Sequence, residues 1–367
     1  MKMTAAVCHP GKPGFVLETV TLDAPRSNEI RVRIVGVGLC HTDLMISEFG
    51  AAWNNAPAVL GHEGAGVVEA VGEAVTKVKP GDHVILTFRS CGACDRCTDH
   101  SPAYCRSMPS LNFAGARSDG SATISNANGP VASNFFGQSS FASHALTQES
   151  NVVRVDYDLP LELLGPLGCG IQTGAGGVIN SLAARHGSSI LILGGGSVGL
   201  SAVMGARLQG CATIILFEPQ QSRRALGLEF GATHLLDPAT TPDLAAAIRA
   251  IVPMGVDYAF DSTGIPAALA GAMACLGSRG VLGVVAASPP GTALPGDINQ
   301  LISMGQSVRG IVEGDSDPDL FIPVLIAHFR AGRLPFDRMI RTYPLADISR
   351  AIADQHAGHV TKAVLLP

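Results

Sequence analysis

Polar and apolar residues alternate through Glu29-Ile-Arg-Val-Arg-Ile-Val, the period of two expected of a strand with one face buried. Two further apolar runs, Gly64 to Val71 and His83 to Phe88, are bounded by Gly and Pro and also read as strands. Residues 1–90 are therefore expected to be short β segments joined by turns, with the N-terminus as the first strand. The Gly-, Ser- and Asn-rich stretch 111–140 reads as long loops. The pattern changes from about Leu161. Ser189-Ile-Leu-Ile-Leu is continuously apolar, as a parallel strand covered on both faces would be. A helix to Gln209, a strand from Ala212 to Phe217, a helix from Ser222 to Phe230 and a short strand from His234 to Leu236 follow. A helix from Pro242 to Ile251 and strands from Val256 to Phe260 and Val281 to Ala286 complete the alternation. That order predicts a doubly wound parallel sheet between about 172 and 310. The last segment returns to mixed helix and strand, ending in Lys362-Ala-Val-Leu-Leu.

Composition narrows the function class. The 367 residues suffice for two domains, and 47% hydrophobic against 15% charged residues favours large cores over disorder. A net charge of −5 offers no basic footprint, so nucleic acid is not an expected partner. No apolar run reaches the ~18 residues of a membrane span. The first residues show no apolar stretch before a small-residue cleavage site, so a cytoplasmic protein is expected.

Nine cysteines in such a chain suggest metal or catalysis rather than disulfides. Cys91, Cys94, Cys97 and Cys105 form two overlapping C-x2-C steps and a fourth thiol beyond a short loop. That spacing lets four sulfurs close a tetrahedron at ~2.3 Å around a structural zinc. Gly194, Gly196 and Gly199 make a G-x-G-x-x-G that follows a buried strand and opens a helix. The first glycine permits the tight turn, the second lets a pyrophosphate approach the backbone, and the third packs helix on strand. Glu218 stands about 20 residues on, where an acid receives the ribose hydroxyls of NAD. Its charge opposes the 2′-phosphate of NADP, a preference that Arg223 and Arg224 soften. Cys40, His62 and Cys169 suggest a second metal, since a catalytic zinc takes three protein ligands and keeps one open position.

Gly61-His-Glu-Gly-Ala-Gly-Val-Val-Glu-Ala-Val-Gly resembles the signature of the zinc-containing medium-chain alcohol dehydrogenases. The likeness runs on through Lys79-Pro-Gly-Asp-His-Val, the four-Cys lobe, Gly168-Cys-Gly-Ile-Gln-Thr-Gly and the Gly-rich loop. The resemblance implies an α/β protein with a GroES-like β-rich catalytic domain (1–171 and 311–367) around a Rossmann NAD-binding domain (172–310). It implies two zinc ions per chain, NAD as cofactor, a small alcohol or aldehyde as substrate, and a homodimer or homotetramer. Cys40, His62 and Cys169 would ligate the catalytic zinc. Asp43 would orient the ligand His, Glu63 would stand behind the metal, and Thr42 would accept the alcohol proton. His41, Thr173 and Lys362 match positions that touch the cofactor pyrophosphate or nicotinamide. Liver-type members carry a proton-relaying His a few residues past the Thr, where this chain has Met45.

Pro109-Ser-Leu-Asn-Phe, Phe135-Phe-Gly-Gln-Ser-Ser-Phe141 and Leu161-Glu-Leu-Leu-Gly-Pro-Leu-Gly-Cys resemble the branch of aryl-alcohol (benzyl) and geraniol or perillyl alcohol dehydrogenases. Glu218-Pro219 and Glu313-Gly-Asp-Ser-Asp-Pro resemble its terpenoid side. In that branch Phe88 and Phe141 match pocket positions, with Met45 and Trp53 as further apolar wall. The competing readings are a polyol- or threonine-type zinc dehydrogenase of the same superfamily and a nucleotide-binding relative without activity.

Overall fold

A computed structural model describes residues 1–54 and 56–367, with the side chains of 49–54 outside the described residues. The chain divides into two units by contact. The first is Met1–Cys169 with Asp317–Pro323 and Ile340–Pro367, and the second is Gly170–Ser316 with Val324–Met339. The sequence expectation placed the boundaries at 171/172 and 310/311; contact groups Gly170–Ser316 and Val324–Met339 in the second unit.

The first unit is built on two sheets. One runs in the order Ala58–Val59, Lys2–Cys8, Val16–Leu22, Ile124–Asn126, Gly129–Val131. The other runs Val152–Val155, His83–Leu86, Gly64–Val71, Ile30–Gly38, Lys362–Leu366, Ile340–Pro344, with His144–Thr147 also paired to Ile30–Gly38. The alternation read at 29–35 is real: Ile30, Val32 and Ile34 are buried between more exposed arginines. Two expectations need correction. Residues 1–90 are not all β, because His41–Asn54 is a helix. Its start is fixed by a carboxylate in the third position, Asp43, whose Oδ2 accepts from Cys40 N–H at 3.0 Å, the reach-back half of a capping box. The stretch 111–140 is also not all loop, since Ile124–Asn126 and Gly129–Val131 form a hairpin.

That segment is tied down by charge. Arg117 donates from Nε and Nη2 to the two oxygens of Glu29 at 2.6 and 3.0 Å, and from Nη1 to Asp23 at 2.8 Å. Both the Arg117 and Glu29 side chains are only 5% exposed. Glu29 above all raises the arginine pKa, with burial opposing and Asp23 adding to it.

In the second unit Ser189–Leu193 lies at the centre of an all-parallel sheet. Its order is His234–Leu236, Thr213–Phe217, Ser189–Leu193, Val256–Asp261, Leu276–Val284, Ser307–Gly310. In chain order this is 3-2-1-4-5-6, the doubly wound Rossmann arrangement, whose ligands bind beyond the carboxyl ends of the strands. Ile190, Leu191, Ile192 and Leu193 are all fully buried, which explains why their run lacks alternation. Helix Pro266–Cys275, which the pattern did not single out, supplies Leu269, Ala272 and Met273 to the core on one face. Among the described residues no helix is long and apolar enough to cross a membrane.

Arg117→Ala should lower the stability of the first unit by about 3–5 kcal/mol, because it leaves Glu29 buried without its cation. Urea unfolding followed by circular dichroism checks this; a midpoint unchanged from the parent would contradict it.

Candidate metal centres and cofactor crevice

Asp43 organises the first centre. Its Oδ2 closes the helix start, and its Oδ1 accepts from Gly61 N–H at 3.1 Å and faces His62 Nδ1 at 2.8 Å. Gly61 adopts φ +90°, and a Cβ there would stand 2.5 Å from Phe141 N, so the turn that delivers His62 demands glycine. Asp43 and His62 are both buried. With Nδ1–H donated to the carboxylate, the lone pair of Nε2 points the other way, and that buried atom makes no hydrogen bond. The ligand atoms of Cys40, His62, Glu63 and Cys169 all lie within 4.8 Å of one another. The hydrogen bond with Cys169 and the nearby His62 and Lys362 hold the Cys40 thiol well below its ordinary pKa, against burial. A thiolate, an imidazole whose Nε2 makes no hydrogen bond and a second thiol are a donor set that suits zinc. Thr42 Oγ1 stands 3.8 Å from Cys40 Sγ, half-buried, and His41 is exposed at the helix start.

The wall beside His62 is aromatic. Phe136 stacks on its ring with centroids 4.5 Å apart, and Phe135 meets it edge-on at 5.5 Å. Phe113 packs edge-to-face against both, at 5.1 and 6.0 Å. Left-handed backbone at Asn134 (φ 62°) and Phe136 (φ 49°) turns these rings inward. Buried Gln138 secures the turn, donating to His62 O and Thr87 O and accepting from Gly64 N–H.

Several expected contacts fall elsewhere. Phe141 is fully buried and packs its ring edge-on against Phe15 at 5.5 Å, under Gly61. Phe135 and Phe136, beside His62, belong to the same buried core. Phe88 is also core, lining a cavity of about 310 Å³ with Cys97 and Pro102 beside the four-cysteine lobe. Met45 is half-buried on the helix after Asp43, and the Trp53 side chain lies outside the described residues. Lys362, expected against the cofactor, is buried: its Nζ meets Glu63 Oε2 at 2.6 Å and donates to Leu39 O at 3.1 Å. Burial opposes its charge, but Glu63 and Cys40 raise its pKa, so the ammonium persists as the partner of the acid behind the metal ligands.

The second centre is local. Cys91, Cys94, Cys97 and Cys105 place their sulfurs within 4.8 Å of one another. Cys94 and Cys97 are 3.6 Å apart, and Cys91 and Cys97 3.9 Å. Four sulfurs at 2.3 Å from one ion stand about 3.8 Å apart, so the lobe is already shaped for tetrahedral zinc. Backbone N–H groups near Arg106 and Cys97 lower the Cys94 thiol to about 6. Arg106 clamps Asp95 through two 2.6 Å hydrogen bonds and closes the loop.

The cofactor crevice belongs to the second unit. A cavity of about 1010 Å³ is lined by Gly194, Gly196, Glu218, Arg223, Ser262 and Thr263, among others. A Cβ on Gly199 would stand 1.8 Å from Gly194 O, which excludes any side chain there, whereas the same position on Gly196 faces open space. The loop therefore offers one bare edge for a pyrophosphate, at the N-terminus of helix Ser197–Gln209. Glu218 is held by Gly195 N–H at 2.5 Å and Gln220 N–H at 2.7 Å, which fixes its carboxylate at the rim. Arg224 is tied to Asp237 at 2.8 Å and to the carbonyls of Glu218 and Pro219. Sequence reasoning missed Ser262, Thr263 and Ile265 as lining residues; the signal was their place just past strand Val256–Asp261. Thr173, another expected cofactor contact, is buried and donates to Glu313 Oε2 at 3.3 Å.

Known proteins carry the same architecture. A family model described as alcohol dehydrogenase GroES-like domain matches residues 26–157, and one described as zinc-binding dehydrogenase matches 197–326. Geraniol dehydrogenase of Castellaniella defragrans is 47% identical over 363 residues, spanning 99% of this chain and 97% of that protein. An alcohol dehydrogenase zinc-binding domain protein from Burkholderia ambifaria superimposes with a TM-score of 0.97 at 51% identity, covering 100% of this chain and 99% of that one. Benzyl alcohol dehydrogenase from Acinetobacter calcoaceticus does so at 0.95 and 40%, with the same coverage. Likeness of this depth, end to end and across both units, makes the chain a member of the zinc-containing alcohol dehydrogenase family.

Proposed function

We propose that this zinc-dependent alcohol dehydrogenase oxidises primary allylic or benzylic alcohols, of the geraniol, perillyl alcohol or benzyl alcohol type, to aldehydes, with NAD as hydride acceptor. The observation that carries the substrate class is the end-to-end identity with a geraniol dehydrogenase. The structural likeness to a benzyl alcohol dehydrogenase supports it, because both names describe a carbinol next to an unsaturated carbon.

Cys40, His62 and Cys169 would hold the catalytic zinc, and the four-cysteine lobe the structural one. When bound, the catalytic metal supplies Lewis-acid polarisation of the substrate oxygen. Asp43 fixes the tautomer and the ring direction of His62. The Thr42 hydroxyl would take the proton of the alcohol while giving its own to a ribose hydroxyl of the bound cofactor, and Met45, with no exchangeable proton, cannot carry it further. Glu63, neutralised by Lys362, adds no unpaired charge behind the ligands. Glu218 at the rim receives the adenosine ribose. A homodimer or homotetramer is also inferred. Leu294, Ile298 and Ile302 are 66–81% exposed, a surface suited to a second copy. Free thiols in both zinc sites fit a reducing, cytoplasmic setting.

Catalytic efficiency with geraniol or benzyl alcohol should exceed that with ethanol at least about a hundredfold, since each buried CH2 contributes ~0.8 kcal/mol. Sorbitol and threonine should be inert. Initial rates over this panel decide the assignment, and a preference for ethanol or a polyol would end it.

NAD should be favoured over NADP by about two to three orders of magnitude in kcat/KM. A fixed carboxylate ~4 Å from a 2′-phosphate costs about 4 kcal/mol at an effective dielectric of 20. Equal efficiency with NADP would show that Arg223 compensates the charge.

Zinc analysis should find two ions per chain. Asp43→Asn should weaken retention of one of them by about ten- to a hundredfold in a chelator titration, while Cys94→Ser should lose the other and lower thermal stability. Full retention of both ions in Asp43→Asn would contradict the role given to the carboxylate.

A further inference from the structure

Arg89 follows strand His83–Leu86 and precedes the four-cysteine lobe that begins at Cys91. Its backbone is fixed by one side chain: its N–H donates to Asn112 Oδ1 and its carbonyl accepts from Asn112 Nδ2, both at 2.8 Å. The residue is only 9% exposed, yet no carboxylate pairs with it among the described residues. Its Nη2 donates to the neutral Gln148 Oε1 at 2.6 Å, and among the described residues its other guanidinium nitrogens have no partner. Burial lowers its pKa and Glu29 opposes that effect, but Glu29 is itself paired with Arg117. A guanidinium stays charged at neutral pH, so a buried cation stands here without a counter-ion of its own.

The guanidinium end borders a cavity of about 340 Å³ within the first unit. Arg89 and its partner Gln148 both line it, with Ala74, Val75 and Leu111 as apolar wall. Glu149 lines it too, but its Oε1 is taken up by the N–H groups of Thr76 and Lys77.

Charge and shape select the occupant. The parallel N–H groups of a planar guanidinium match the two oxygens of a carboxylate. Four thiolates around one zinc leave the neighbouring lobe net negative, and Glu149 adds to that field, so a monoanion is favoured over a phosphate dianion. The apolar wall favours an organic body over a bare inorganic ion. We propose that this cavity binds a small organic monocarboxylate, with its carboxylate on Arg89 and its body against Ala74, Val75 and Leu111. The occupant would join the segments that carry these residues and stabilise the folded lobe by binding to it.

The test is calorimetry of the zinc-loaded enzyme with benzoate and, separately, with inorganic phosphate. Benzoate should bind, and phosphate should bind at least about tenfold more weakly. Arg89→Gln should weaken benzoate at least about tenfold, and Arg89→Lys, which keeps the charge but loses the fork, should weaken it several-fold. Ala74→Trp fills the cavity and leaves Arg89 in place, so it should weaken benzoate as Arg89→Gln does. It also decides the matter if Arg89→Gln does not fold. Alcohol turnover without benzoate should stay unchanged in Ala74→Trp, which separates this site from the catalytic centre. Benzoate binding that survives these substitutions undiminished belongs elsewhere, the catalytic metal included, and would overturn the proposal. So would the absence of benzoate binding, or phosphate bound as tightly as benzoate.

Discussion

A buried carboxylate, Asp43, must find hydrogen-bond donors, and meeting that demand assembles the first metal centre. Its partners are the backbone of Cys40, the backbone of Gly61 and the imidazole of His62. One side chain thereby sets where the helix after Cys40 begins, how the turn at Gly61 faces, and which nitrogen of His62 is left to ligate. An unpaired charge at this depth would be costly, so the three segments are held together as firmly as the carboxylate needs its partners. The same logic recurs behind the ligands, where Glu63 and Lys362 are fully buried and stand only because each neutralises the other.

The two units solve different problems. The first holds soft ligands in place with a polar second layer: Asp43 behind His62, Gln138 behind the His62 carbonyl, and aromatic rings against the imidazole face. The second holds a long anionic ligand with almost no side chains, by keeping one edge of a glycine loop bare and fixing an acid at the next strand end. The four-cysteine lobe needs neither device, since its spacing alone brings four sulfurs to tetrahedral distances.

Some of this was written locally. The Cys91–Cys105 lobe, the Gly194–Gly199 loop and the buried strand Ser189–Leu193 each lie within a short stretch, where spacing and periodicity carry the physics directly. Cys40, His62 and Cys169 are far apart and individually ambiguous, so only the motifs around them identified the set. The helix His41–Asn54 escaped notice because its start signal is a carboxylate reaching back to a cysteine, without the usual Ser or Thr at the cap.

Chain order alone thus decided the Rossmann alternation, the thiol lobe and the family, because these depend on residues close in sequence or on whole motifs. Tertiary structure alone decided which aromatic rings face His62, that Phe141 and Phe88 belong to the core, and that Lys362 serves Glu63. Each of those outcomes turns on left-handed residues or on partners brought together across the sheet. A one-dimensional pattern records which face a residue prefers, but not which neighbour waits there.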